Sequence, residues 1–443
     1  MKGPVKQLAE SLGPDDLKSL DRAHNFYSWS IQGAISPMLV SRADGMYVYD
    51  AEGEEYLDFS SQLVNTNIGH SHPKVVSEIQ KQAEKLATIG PAYSSEPRVL
   101  AAKSIVDLAG PGFQKVFFTN GGADAVENAI RAARLYTGRP KILSSYRSYH
   151  GNTGAAIVAT GDWRRQPNEY ASHHIHFFGP FLYRSEFWAQ SEEEECERAL
   201  RHLERVVQSE GPETIAAILL ESVPGTAGIL VPPTGYLKGV KLICDRYGIL
   251  LILDEVMCGF GRTGQWFAFH DQEVTPDLIT FAKGVNSGYV PVGGVVFSKQ
   301  ISDFFEDSMF PGGLTYSGHP LAMASINAAL QAMHDEKIIE NARKIGDESL
   351  RPGLLALQER HQVIGEVRGL GCFFALDLVS DSQTRAVLEP AAMAKIREEI
   401  VRAKLLPFAV DNRIHVVPPL IVTSELVEEA LNRYDHALSA AGF

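Results

Sequence analysis

The chain has 443 residues, 45% hydrophobic and 21% charged, the balance of a globular protein with room for two domains or one elaborated α/β unit. A formal net charge of −13 without any basic block argues against nucleic acid or an anionic membrane as partner. No apolar run approaches the ~20 residues of a membrane span, and MKGPVKQLAESLGPDD lacks the apolar core of a leader, so the cytoplasm is the expected compartment.

The first 37 residues are mixed in character and carry an aromatic cluster, Phe26, Tyr27 and Trp29. Met46–Asp50 and Glu55–Phe59 flank the turn Ala51-Glu52-Gly53, a hairpin signal belonging to a small, largely antiparallel unit. The loop Asn67–Pro73 leads into a helix with apolar positions at Val75, Val76, Ile79 and Leu86. From about residue 98, helix and strand alternate, the pattern of a parallel sheet with crossovers. The strands are expected at Lys115–Thr119, Lys141–Ser145, Ile215–Leu220, Ile249–Asp254, Leu278–Ala282 and Gly294–Ser298. Helices fall between them at Ala123–Tyr136, Glu192–Gln208 and Leu237–Tyr247; the acidic run Glu192–Glu195 opens the second, where it complements the helix dipole. A long helix from Pro320 to about Met333 leads out. Beyond Ile338 a second α+β region follows, with strands at Val363–Val367, Cys372–Val379 and Ile414–Val417 and a last helix from Ser424, which the N-terminal hairpin could join. Cys196, Cys244, Cys258 and Cys372 show no paired spacing and read as neither a disulfide framework nor a zinc site, so no metal is expected.

Two apolar runs carry the chemistry, Ile249–Leu253 ending on Asp254 and Leu278–Ala282 ending on Lys283. Short apolar runs bounded by Gly and Pro read as strands buried on both faces of a parallel sheet. Ligands bind beyond the carboxyl ends of such strands, so Asp254 and Lys283 would project into one crevice, roughly 5 to 10 Å apart. The plainer alternative is a strand-end salt bridge.

Other motifs must decide. Gly259-Phe260-Gly261-Arg262-Thr263-Gly264 matches the dinucleotide fingerprint, but no crossover helix follows it: Gln265–Phe269 is aromatic and Pro276 lies close behind. The run ending Asp254-Glu255 resembles a nucleotidase magnesium strand, yet the chain has no G-x-x-x-x-G-K-[ST] loop. Thr119–Ala125, TNGGADA, sits between strand and helix, where glycines let N–H groups face a phosphate. Ser148-Tyr149-His150-Gly151 puts an aromatic and an imidazole after the next strand. Amine chemistry at carbon needs an electron sink that no side chain supplies, and pyridoxal phosphate supplies it. That cofactor calls for a lysine, an acid for its ring nitrogen, a phosphate cradle and a flat side chain; Lys283, Asp254, Gly122/Ala123 and Tyr149 fill these places.

The segments TNGGADAVENAIRAAR, SYHGNT, LLESVPGTAGILVPP, LLILDEVMCGFGRTG, DLITFAKGVNSGYVPVGGV, GGLTYSGHPLA and VRGLGCFFALDLV run in family order over nearly the whole chain. They resemble the class III aminotransferases, the ω-aminotransferase group of the fold-type I pyridoxal-phosphate enzymes. The resemblance implies an α/β fold with a large, mainly parallel seven-stranded sheet domain (66–335) and a smaller α+β domain built from both termini (1–65 and 336–443). It implies a ping-pong transfer of nitrogen from a primary amine or ω-amino acid to a keto acid such as pyruvate. In that scheme Lys283 carries the Schiff base, Asp254 binds the pyridine nitrogen, and Val256 and Tyr149 cover the two ring faces. Gly122 and Ala123 bind the phosphate, and Thr315 reaches the phosphate of a neighbouring subunit, so the active unit is a homodimer. Glu221 and His150 match positions near the cofactor. An aminomutase, racemase or decarboxylase on the same fold would share these motifs.

There are departures from the family pattern. A hydroxyl usual in the phosphate loop is missing from Gly121–Asp124, a loss on the order of 1 kcal/mol. In the expected substrate pocket, with Trp29 and Leu63, Val64 replaces a tryptophan common in amine–pyruvate members and should widen the space. Phe408 falls where many members have a carboxylate-binding arginine, with Arg413 nearby but of unknown direction. HNFYSWSIQG and FSSQLVNTNIGH resemble the taurine–pyruvate branch most.

Overall fold

The computed structural model describes residues 12–169 and 171–443. Three short strands open the chain: β1 (Val40–Asp44), β2 (Tyr47–Asp50) and β3 (Glu55–Asp58). The central part supplies β4 (Phe113–Thr119), β5 (Lys141–Ser145), β6 (His174–Phe177), β7 (Ile215–Glu221), β8 (Leu250–Asp254), β9 (Leu278–Phe281) and β10 (Gly293–Ser298). The last third supplies β11 (Ile364–Leu370), β12 (Phe373–Asp381), β13 (Ala386–Val387), β14 (Leu405–Leu406), β15 (Phe408–Val410) and β16 (Arg413–Val416).

The central strands form one seven-stranded sheet in the order β4-β10-β9-β8-β7-β5-β6, parallel except for β10. Every residue of β7, β8 and β9 is buried, because helices cover both faces. Six of the seven strands match the sequence reading to within two residues at either end. The seventh, β6, escaped it: His-Ile-His-Phe pairs only with β5 and is half-buried over three of its four positions, so it shows no apolar run. Helices Gly122–Thr137, Glu192–Glu210, Tyr236–Tyr247 and Pro320–Asp335 lie where their apolar spacing put them.

The two ends of the chain meet. β14, from the C-terminal third, adds to β3 in parallel to complete a sheet of order β1-β2-β3-β14. Leu57 and Phe59 donate backbone N–H bonds to Lys404 and Leu406, and Val417 donates one to Phe59. The remaining sheet, β11-β12-β16-β15, is antiparallel, with β13 on β12.

The segment that imitated a dinucleotide fingerprint turns out to be a joint. Phe260 and Gly261 donate backbone bonds to Trp266 and Gln265, closing a tight loop in which Gly261 and Gly264 take φ of 95° and 83°. This loop carries Arg262, one of the largest wholly buried side chains described. Its guanidinium donates to the carbonyls of Cys372 and Pro418 at 3.0 and 2.5 Å, to Ser61 Oγ at 3.2 Å and to Asn67 Oδ1 at 2.7 Å. One side chain thus links the central sheet to both ends of the chain. Removing it leaves four buried acceptors without a donor, each worth about 1–3 kcal/mol when orphaned. Arg262→Met should therefore lower the melting temperature of the cofactor-free protein by roughly 5–10 °C, at about 2–4 °C per kcal/mol after partial relaxation. Arg262→Lys, lacking the fork, should recover only part of the loss. Differential scanning calorimetry of both variants checks this.

Candidate active site

At the carboxyl edge of the central sheet, register puts three residues side by side. Glu221 ends β7, Asp254 ends β8 and Thr280 lies near the end of β9, and the ladder pairs Glu221 with Asp254 and Asp254 with Thr280. Three residues beyond Thr280, Lys283 begins a short turn, Lys283–Asn286, with a left-handed φ of 45°. A lysine pays for that conformation in strain, a feature concentrated at functional sites.

Asp254 and Lys283 are not an ion pair. The Asp254 carboxylate accepts from His150 Nδ1 at 2.8 Å, Thr280 Oγ1 at 3.0 Å and the Val256 amide at 3.1 Å. Among the described residues Lys283 Nζ has no hydrogen-bond partner. Burial pushes the Lys283 pKa below the usual ammonium range, with Glu221 and Asp254 opposing that and Arg164 reinforcing it. An amine so placed is closer to its neutral, nucleophilic form at neutral pH.

His150 Nε2 is buried and without a partner among the described residues. Its Nδ1 is the ring nitrogen turned to Asp254. Glu221 accepts from the amides of Tyr149 at 3.1 Å and Gly225 at 2.8 Å. Burial nevertheless pushes its pKa up to about 7; Asp254 adds to the rise, and His150 and the two amides oppose it. Glu255, next to Asp254, points to the other face of the sheet. There it accepts from Ser222 Oγ and the amides of Ala268 and Phe269, a structural anchor rather than a metal ligand. Among the described residues no group of three or more His, Cys, Asp or Glu could hold a metal.

These side chains line a cavity of about 160 Å³, whose wall includes Gly122, Ala123, Tyr149, His150, Glu221, Asp254, Val256 and Lys283. Gly122 and Ala123 belong to the first turn of the Gly122–Thr137 helix, where no side chain caps the N-terminus. Its amides and dipole are left for an anion. A Cβ on Gly122 would lie 2.9 Å from Val256 Cγ1, so the approach of loop to Val256 needs glycine.

A second cavity of about 710 Å³ adjoins the first and shares Tyr149, Thr226, Met257 and Lys283 with it. Trp29, Leu63, Phe408 and Arg413 are among the residues that line it. Trp29 stands edge-on to Tyr149 at 6.4 Å. Phe408 packs on His415, with ring centroids 4.9 Å apart. Arg413, at the start of β16, bonds Asp411 through Nη2 at 2.6 Å and keeps a buried Nε without a partner among the described residues.

The expectation for Val64 needs correction. Ser61, Gln62 and Val64 all take positive φ, and this kink turns Val64 inward. It is 1% exposed and packs among Val223, Met257, Cys258 and Phe373, lining neither cavity, while Leu63 faces the space instead. Thr315 also lines neither cavity; it sits exposed in a turn. Arg164 and Thr280 were missed. Arg164, whose guanidinium lies 3.7 Å over the Tyr149 ring, stands in no recognisable pattern. Thr280 showed only as one hydroxyl inside an apolar strand.

The raised Glu221 pKa has a testable consequence. The folded protein holds this proton more tightly than the unfolded chain, so its contribution to stability is full below pH 4.5 and is lost as pH rises through about 7. The cofactor-free protein should lose on the order of 3 kcal/mol across that window from this group. Glu221→Gln should flatten that part of the curve of melting temperature against pH.

Residues 30–438 match the sequence profile described as aminotransferase class-III. A taurine–pyruvate aminotransferase of Bilophila wadsworthia is 31% identical, with 96% of this chain and 97% of that protein covered. Among solved structures, a taurine:2-oxoglutarate aminotransferase from Bifidobacterium kashiwanohense, in complex with PLP and glutamate, is 42% identical with a TM-score of 0.94, over 97% of this chain and 98% of that one. A thermostable (S)-enantioselective omega-transaminase from Thermomicrobium roseum is 34% identical with a TM-score of 0.92, over 98% and 100%. With a strained, unpaired lysine beside a fully oriented aspartate at the sheet edge, and the profile matched almost end to end, the chain belongs to the class III aminotransferase family.

Proposed function

We propose that this chain is a pyridoxal-phosphate aminotransferase that takes nitrogen from a primary amine with an anionic far end and gives it to a keto acid. The observation that carries the reading is Lys283: an amine without a partner among the described residues, at the mouth of a cavity whose other end holds Asp254 with one lone pair unused. The residues present fit the cofactor. Lys283 would hold its aldehyde carbon and Asp254 its ring nitrogen, Gly122 and Ala123 amides its phosphate, and Val256 and Tyr149 its two faces. When bound, it supplies the electron sink that makes a C–H bond beside nitrogen acidic. Lys283 Nζ, once the substrate's amine has taken its place on the aldehyde carbon, would be the base that holds and moves this proton.

The outer cavity supports an anionic tail on the substrate. Apart from Lys283, it is lined by Arg147, Arg164, Arg184 and Arg413, four cations, against Asp162, Asp377 and Asp411, three acids. Arg164 spends Nε and Nη2 on Asp162. Its Nη1 has no partner among the described residues, and it lies closest to the Tyr149 ring. Phe408 offers no charge; of the cavity's arginines, Arg164 is the one that lies over the ring of Tyr149, a residue shared with the inner cavity, and is the choice for a sulfonate or carboxylate. The two similar taurine aminotransferases, using pyruvate and 2-oxoglutarate, agree with this choice of donor and leave both acceptors to be assayed.

The reading includes a homodimer. Thr315 is exposed in a turn beside exposed Tyr316, not far along the chain from exposed Met309, an apolar surface for a second copy from which Thr315 would reach that copy's phosphate. It also includes a large domain at 66–335 and a smaller one from 1–65 and 336–443.

Lys283→Ala should fold, lose the visible cofactor band's response to amine, and fall in turnover by at least about 10³-fold; undiminished turnover sinks the assignment. Arg164→Met should raise KM for taurine and β-alanine about 10- to 100-fold, the worth of a charge-assisted bond, and leave arylalkylamines nearly unchanged. Equal effects on both classes would remove Arg164 from substrate recognition. Light scattering should give twice the 48.6 kDa chain mass.

A further inference from the structure

Thr280 is fully buried in a strand whose other residues, Leu278, Ile279 and Phe281, are apolar. Valine has the same shape and would suit such a strand better, since a buried hydroxyl costs free energy unless it is bonded. The partner recorded for this hydroxyl is Asp254 Oδ1, at 3.0 Å.

A carboxylate offers about four lone-pair positions. At Asp254 three are filled: Oδ1 by Thr280 Oγ1 and the Val256 amide, Oδ2 by His150 Nδ1. The remaining one is on Oδ2, and Asp254 lines the inner cavity. The Val256 amide holds Oδ1 from the residue's own loop and moves with it. Thr280 holds it from the next strand, in a register fixed by the ladder pair Asp254–Thr280 and by the Glu255 amide bonded to the Thr280 carbonyl at 2.9 Å. The same strand ends at Phe281, two residues before Lys283. β9 therefore sets both the orientation of the acid and the position of the amine.

We infer that Thr280 is a positioning residue for the cofactor's ring nitrogen: its hydroxyl fixes the Asp254 carboxylate so that the open lone pair of Oδ2 faces the inner cavity. The inference rests on the aminotransferase reading of that cavity. Thr280 itself touches no cofactor; it acts through Asp254. A hydroxyl that merely filled space in the sheet would influence every ligand of the cavity alike, whereas one that aims Asp254 matters only to a ligand with a ring nitrogen.

That difference gives the experiment. The cofactor-free full-length protein is titrated with pyridoxal phosphate and with its 1-deaza analogue, in which carbon replaces the ring nitrogen. Wild type, Thr280→Val and Thr280→Ser are compared, and Thr280→Ala replaces the valine variant should that one not fold. Thr280→Val should weaken pyridoxal phosphate about tenfold, the lower range of a bond to a charged acceptor, while binding the deaza analogue within twofold of wild type. Thr280→Ser, which keeps the hydroxyl, should restore most of the preference. Equal weakening of both ligands, no weakening of either, or a serine variant as impaired as the valine one overturns the inference and leaves the aminotransferase reading standing. A wild-type protein that binds neither ligand overturns both.

Discussion

A carboxylate and an amine buried at the edge of one sheet attract each other, and what this structure depends on is that they are kept from pairing. Coulomb attraction between such groups is strong away from water. It is resisted here because Asp254 is already occupied by His150, Thr280 and the Val256 amide, and because Lys283 begins a left-handed turn that carries it past the strand end. Each group is left with spare capacity facing a cavity.

Holding that arrangement requires a rigid frame, and the frame is drawn from three stretches of chain. Parallel strands β7, β8 and β9 set Glu221, Asp254 and Thr280 in register. The helix start that lines the inner cavity comes after β4, and the outer cavity's walls come from residues as distant as Trp29, Arg164 and Arg413. Arg262 is where these stretches are bolted together: its four acceptors lie at Ser61, Asn67, Cys372 and Pro418. A loop that looks in sequence like a nucleotide cradle is thus spent on joining the two ends of the chain to the sheet that bears the chemistry. A buried arginine is costly unless fully bonded, which makes the joint specific to one mutual placement of the three stretches.

The inner and outer cavities divide the chemical labour. The inner one offers fixed partners: amides at an uncapped helix start, an oriented carboxylate, an unpaired amine. The outer one is larger, bordered by aromatic and apolar surface with an excess of cationic side chains. Glu221 lies on the inner wall, a buried acid whose protonation changes near neutrality, next to the lysine whose charge it opposes.

The sequence by itself determined the central sheet and its chemistry. Fully buried parallel strands are continuous apolar runs, so β7, β8 and β9 could be read directly, and the residues that end them follow without knowledge of the fold. Asp254 and Lys283 were read for that reason, Gly122 and Tyr149 from the glycine-bearing loop after β4 and the Ser-Tyr-His-Gly segment after β5. Three things were decided only by tertiary structure. The edge strand β6 gains its partners from β5 alone and carries no apolar run. Val64 leaves the cavity wall, where Leu63 stays, because positive φ at Ser61, Gln62 and Val64 turns it into the core, and φ is not written in a periodicity. Thr280 and Arg262 acquire their hydrogen-bond partners, and Arg164 its place over the Tyr149 ring, from residues on other elements. Local pattern reports which face of an element is buried; which polar group meets which across that buried space is fixed only when separate elements are brought together and every buried donor must find its acceptor.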